Sequence, residues 1–222
     1  MDFDQFMKRY FHFMGQHFAG WVEPNQLAKS ILEATEHMIQ VNDGRTNYAI
    51  FMDHFQTLVD GDIQAYEDHF SNYYETLFAN VQPSTSVSPE MVEAVALLKD
   101  KGYTLVVATN PLFPYRANLH RLEWGGFDRE DFIHITSLED NTFCKPYPQF
   151  YQEVLDTIGK QPTECMMVGN DVFDDLPAGK LGIQTYLVTD HLLNPRNLPN
   201  TADHTGSYQD FLAFVKTLPS LN

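Results

Sequence analysis

Met166-Met167-Val168-Gly169-Asn170-Asp171-Val172-Phe173-Asp174-Asp175 is an apolar run that breaks at a glycine into a cluster of acids. Such a run suits a parallel strand covered on both faces, and the acids then sit at its carboxyl end, where open α/β sheets bind ligands. Acids gathered there favour a hard, oxygen-preferring cation such as magnesium. The same letters also suit a polar loop followed by a capping Asp, so the run must be weighed with what surrounds it.

Around it the chain alternates helix and strand. A helix over 89 to 101 leads to an apolar strand over 103 to 108, a helix over 115 to 124 to a strand over 132 to 136, and a helix over 148 to 158 to a strand over 165 to 168. A short helix over 175 to 181 precedes a last strand over 183 to 188, and 207 to 218 forms a closing helix. Repeated strand and helix units with short connections imply right-handed crossovers and a doubly wound parallel sheet.

Residues 4 to 81 carry no convincing strand and read as four helices, 4 to 18, 24 to 41, 47 to 59 and 62 to 80, with aromatic and aliphatic faces. Glu23-Pro24, Asn42-Asp43-Gly44 and Asp60-Gly61-Asp62 punctuate them. Composition shifts abruptly at Gln82-Pro83-Ser84-Thr85-Ser86-Val87-Ser88-Pro89, a linker or hinge. The expected organisation is a helical bundle over 1–82, a linker over 83–88 and an α/β core over 89–222.

Composition narrows the function. With 222 residues, 43% of them hydrophobic, the chain can bury a substantial core. No apolar stretch approaches the roughly 18 residues that span a bilayer, and the amino terminus lacks a signal-peptide pattern, so the expectation is a cytoplasmic protein without a membrane partner. A formal charge of -16, from 14 basic and 30 acidic side chains, would repel a phosphate backbone and argues against nucleic acid. A small anionic substrate is compatible with that charge if a metal ion and local cations reverse the field in one pocket. His12, His17, His37, His54 and His69 are scattered among aromatic helical segments without metal-ligand spacing, and Cys144 and Cys165 form neither a disulfide framework nor a zinc pattern.

Three strand ends would converge at the carboxyl edge of the sheet: Thr109-Asn110, Cys144-Lys145-Pro146-Tyr147-Pro148, and the acidic run. In this order they resemble the second, third and fourth motifs of the haloacid dehalogenase (HAD) superfamily, with residues 88 to 190 carrying the match. Ala178-Gly179-Lys180-Leu181-Gly182-Ile183 continues as many members do. The resemblance implies a Rossmann-like core with a helical cap, and a phosphatase that attacks a small phosphorylated metabolite through an aspartyl-phosphate with Mg2+. It further implies that Asp171 and Asp175 hold or orient the ion, with Asp174 a neighbouring candidate. Lys145 would bridge nucleophile and phosphate, while Thr109, with Asn110 beside it, would contact the transferring group.

The sequence departs from the family pattern twice. The position after Gly169, often Asp in the superfamily, is Asn170. The first motif, Asp-x-Asp after the first core strand, has only Asp2-Phe3-Asp4 as a counterpart, without a preceding strand, and these acids read as caps of the first helix. On that reading the catalytic strand lies upstream of Met1 and the helical bundle is the cap inserted after it, with Arg45 in the loop 42 to 47 as the candidate substrate contact, although a plain solvated turn is the more ordinary reading of that loop. Without that strand, its two neighbours keep unpaired backbone groups, unless another segment or another chain, a homo-oligomer included, fills the gap. The alternatives are a haloacid dehalogenase, whose chemistry needs no metal, and an inactive family member that binds a metabolite or protein.

Overall fold

The computed structural model describes residues 2–221, so Met1 and Asn222, which the expected domain ranges include, lie outside the described residues. The chain divides into two compact units. The first comprises 2–86, 111–125 and 137–142, and the second 87–110, 126–136 and 143–221.

The first unit is built of helices α1 (Phe3–His17), α2 (Pro24–Gln40), α3 (Asn47–Phe55) and α4 (Ile63–Glu75), then a 3-10 segment Leu77–Ser84. Each helix begins at a side chain that accepts from an otherwise orphaned backbone N–H: Asp2 for α1, Glu23 for α2, Thr46 for α3 and Asp62 for α4. Asp2 and Asp4 are thus at the helix start, with Asp2 Oδ1 3.0 Å from the Gln5 N–H. The core is aromatic: Phe6, Phe18, Phe55, Tyr73 and Phe78 are sealed from solvent, each contributing about 1.5 to 3 kcal/mol.

Three expectations for this half are corrected. Helix 47 to 59 ends at Phe55, and helix 62 to 80 ends at Glu75, where Thr76 (φ -120°, ψ -83°) leaves helical geometry and the chain tightens into 3-10 turns containing Pro83. The segments 111–125 and 137–142, assigned from sequence to the α/β core, group with the helical unit instead. The cause is packing: Phe113 meets Phe6 and Tyr10 edge-on at 5.5 Å, and Trp124 of α6 (Tyr115–Trp124) lies 5.1 Å from Phe78.

The second unit holds α5 (Pro89–Asp100), β1 (Val106–Val107), β2 (His134–Ile135), α7 (Pro148–Ile158), β3 (Met166–Gly169), β4 (Gln184–Val188), β5 (His204–Gly206) and α8 (Tyr208–Thr217). All the strand pairings are parallel, in two separate sheets ordered β1-β2 and β3-β4-β5. Strand alternation places Met167 with Val106 and Ala108 against Phe150, Val154 and Leu155 of α7. Met166 and Val168 point the other way, against the cluster of Ala94 from α5 with Phe211, Leu212 and Val215 from α8. Helices therefore cover both faces, the doubly wound arrangement expected.

α7 lies over both sheets, yet β1 and β3 do not pair with each other. Every residue of β1 and β3 is half-buried, whereas Thr185 to Val188 of β4 are buried. Among the described residues the β1-β2 and β3-β4-β5 sheets are thus not joined by backbone pairing, although α7 packs against both. The segment 175 to 181 is a 3-10 helix, Leu176–Leu181, and β5 is an additional strand.

Candidate active site

The polar ends of β1 and β3 and the loop before α7 meet within the second unit. β1 runs out into Thr109 and Asn110, and the Thr109 carbonyl accepts from Thr136 Oγ1 at 2.6 Å, which ties the end of β1 to that of β2. Asn110 is the connector. Its Oδ1 accepts the backbone N–H of Lys145 at 3.1 Å and its Nδ2 donates to Asp174 Oδ2 at 2.9 Å.

Lys145 is 4% exposed, and its ammonium donates to Asp175 Oδ1 at 2.6 Å while lying 5.5 Å from the Phe150 ring. Asp175 is itself buried, and its second oxygen accepts the N–H of Asp171 at 2.9 Å. Asp171 Oδ1 takes the N–H groups of Phe173 and Asp174 at 2.8 and 3.0 Å, folding the acidic loop back over the strand end. Gly169 is required by this closure. A Cβ there would stand 2.0 Å from Asp175 Oδ2.

Burial holds the Asp174 carboxyl above the usual carboxylate range; Asp171 and Asp175 add to the rise, and the Asn110 hydrogen bond opposes it. Three carboxylates thus face one directly bonded lysine. Among the described residues no three acids form a ready-made metal cage, but magnesium commonly takes only one or two protein carboxylates and completes its shell with water and substrate oxygens. A cluster of hard oxygen donors with surplus negative charge fits such an ion.

The structure also explains Asn170. Its amide donates to the His191 carbonyl, which a carboxylate could not do, and Leu193 pairs with the backbone on either side of Asp171. Two contacts were not foreseen from sequence: the Tyr151 hydroxyl donates to the Asp174 carbonyl, and the Arg196 guanidinium stacks 3.6 Å from the Phe173 ring centre. Thr109, Asn110, Lys145, Asp171, Asp174 and Asp175 are therefore brought to one edge. Arg45 is not among them: it belongs to the first unit, where Asp43 and Asp53 both pair with it.

A family model for haloacid dehalogenase-like hydrolases matches residues 10–182. The chain belongs to that family. The "Probable phosphatase IndB" of Dickeya dadantii (strain 3937) is 31% identical over 105 residues, 46% of this chain and 44% of that protein. The chain spans 20% to 54% of the length of curated relatives that it matches. Solved HAD structures share the fold. A HAD phosphatase from Thermococcus onnurineus has a TM-score of 0.57 at 16% identity, covering 98% of this chain and 93% of its own. An L-2-haloacid dehalogenase from Xanthobacter autotrophicus has a TM-score of 0.58 at 13% identity, covering 95% and 93%.

Proposed function

We propose that this HAD-like hydrolase is a magnesium-dependent phosphomonoesterase acting on a small phosphorylated metabolite. The observation that carries the reading is the buried Lys145–Asp175 pair set beside Asp171 and Asp174 at the ends of β1 and β3. A phosphate dianion resists attack by a carboxylate until its oxygens are neutralised. Lys145, fixed by Asp175, has two further N–H groups to offer those oxygens as a point charge. The Thr109 hydroxyl and the Asn110 amide stand at the adjoining strand end as hydrogen-bonding groups for the same oxygens.

Asp171, with Asp174 and Asp175 around it, would hold a magnesium ion, whose contribution is further neutralisation of the phosphoryl group. Asp175 serves chiefly to orient Lys145, since both of its oxygens are already engaged in the pair and the loop closure. The nucleophilic carboxylate of the family mechanism belongs, on this reading, to a strand seated between β1 and β3 and outside residues 2–221. The lack of backbone pairing between the two sheets supports that assignment.

The test is inorganic phosphate release from a panel of phosphomonoesters by the protein with that strand present, with magnesium and with chelator. Expected is magnesium-dependent turnover that Lys145→Met lowers by about a thousandfold or more. Halide release from 2-haloacids without metal would overturn the proposal, as would a folded protein with the strand in place and no phosphatase activity.

A further inference from the structure

The first unit contains a cavity of about 520 Å³ whose lining comes wholly from that unit. Its volume lies in the range of small-molecule sites. The apolar wall is largely aromatic, with Tyr10, Tyr48, Phe51, Phe70 and Tyr74. The charged groups on the lining are four carboxylates, Glu67, Asp68, Glu75 and Glu139, and one guanidinium, Arg116.

Arg116 is already paired with Glu75 at 2.9 Å, which among the described residues leaves three carboxylates without a cationic partner on this lining. Their hydrogen-bond donors are neutral. Glu67 accepts from the Tyr48 hydroxyl at 2.7 Å, Glu139 from the backbone N–H of Tyr115 at 2.9 Å, and Asp68 from the Gln64 amide at 3.2 Å. Burial, then the hydrogen bond and charge of Glu67, then the charge of Glu139, all push the Tyr48 phenol up, so both carboxylates act on the same wall.

Aromatic faces attract cations through their quadrupole, and carboxylates with no counter-charge do the same through theirs. A phosphate or carboxylate ligand would meet only repulsion from Glu67, Asp68 and Glu139. We propose that this cavity binds an organic cation, with an apolar body against the tyrosine and phenylalanine rings and an ammonium group at Glu67 and Glu139. The inference stands apart from the phosphatase reading and does not depend on it.

Titration calorimetry on the whole chain, with three probes of one shape, tests it: 2-phenylethylammonium, the neutral 2-phenylethanol and the anionic phenylacetate. The ammonium should bind at least about tenfold more tightly than the alcohol, and phenylacetate should not bind. Glu67→Gln and Glu139→Gln should each weaken the ammonium by about fivefold and leave the alcohol unchanged. The amide oxygen introduced by Glu67→Gln can still accept from Tyr48, so that variant preserves the wall and decides the matter if Glu139→Gln uncaps α6 and unfolds the unit. Equal affinity for alcohol and ammonium, an ammonium affinity untouched by Glu67→Gln in a folded protein, or no binding of any probe would each overturn the proposal.

Discussion

Phe6, Tyr73 and Phe78 of the helical unit are wholly shielded, whereas Val106, Val107 and all four residues of β3 in the α/β unit are only half-buried, although helices cover both faces of β3. The two units also differ in where their backbone bonds go. A helix closes its N–H···O=C bonds within itself and needs neighbours only to bury a face. A strand's bonds belong to its neighbours, so a missing neighbour leaves a row of donors and acceptors open along with the side chains. Helices can thus complete a unit from their own sequence, while a sheet is only as complete as its full set of strands.

The contrast is broken most forcefully at the buried ion pair. Lys145→Met would leave Asp175 buried without its partner and cost about 3 to 5 kcal/mol, read as a fall in the denaturation midpoint of the α/β unit. Combining it with Asp175→Leu should restore part of that loss, because an apolar pair needs no compensation. Gly169→Ala comes next: with Asp175 Oδ2 2.0 Å from the new Cβ, the acidic loop must shift, at about 2 to 3 kcal/mol by the same measurement. Tyr73→Phe probes the helical unit. It removes the 3.0 Å bond to the Tyr10 carbonyl but keeps the ring, for a loss of about 1 kcal/mol.

What is legible in the sequence follows the same division. Caps announce the helices, since Asp2, Thr46, Asp62 and Ser88 each sit one residue before the first turn they satisfy. The apolar run before Gly169 announces β3, because a strand covered on both faces has a nearly continuous apolar sequence. β5 is not legible: His204-Thr205-Gly206 has no apolar pattern and is a strand because Tyr186 to Val188 of β4 offer it an edge. The end of α4 at Glu75 carries no glycine or proline signal, and the cut comes from packing around Phe78.

At the site, the residue types are readable and their wiring is not. Order and chemistry single out Asp171, Asp174, Asp175, Lys145, Thr109 and Asn110, but that Asn110 ties the Lys145 backbone to Asp174 is a contact between distant parts of the chain. Asn170 is a departure in the acidic motif by sequence, and its bond to the His191 carbonyl gives it a structural task. The two partners of Arg45, by contrast, lie two residues before and eight after it, close enough along the chain to be foreseen.

The proposed place of the nucleophile-bearing strand, between β1 and β3, is tested directly by amide hydrogen exchange. In the 222-residue chain alone, amides of β1 and β3 that face this place should exchange far faster than those of Tyr186 to Val188 in β4. A supplied apolar strand ending in Asp-x-Asp should then protect β1 and β3 together. Protection of β1 and β3 equal to that of β4 before any strand is supplied would rule out an open strand position there.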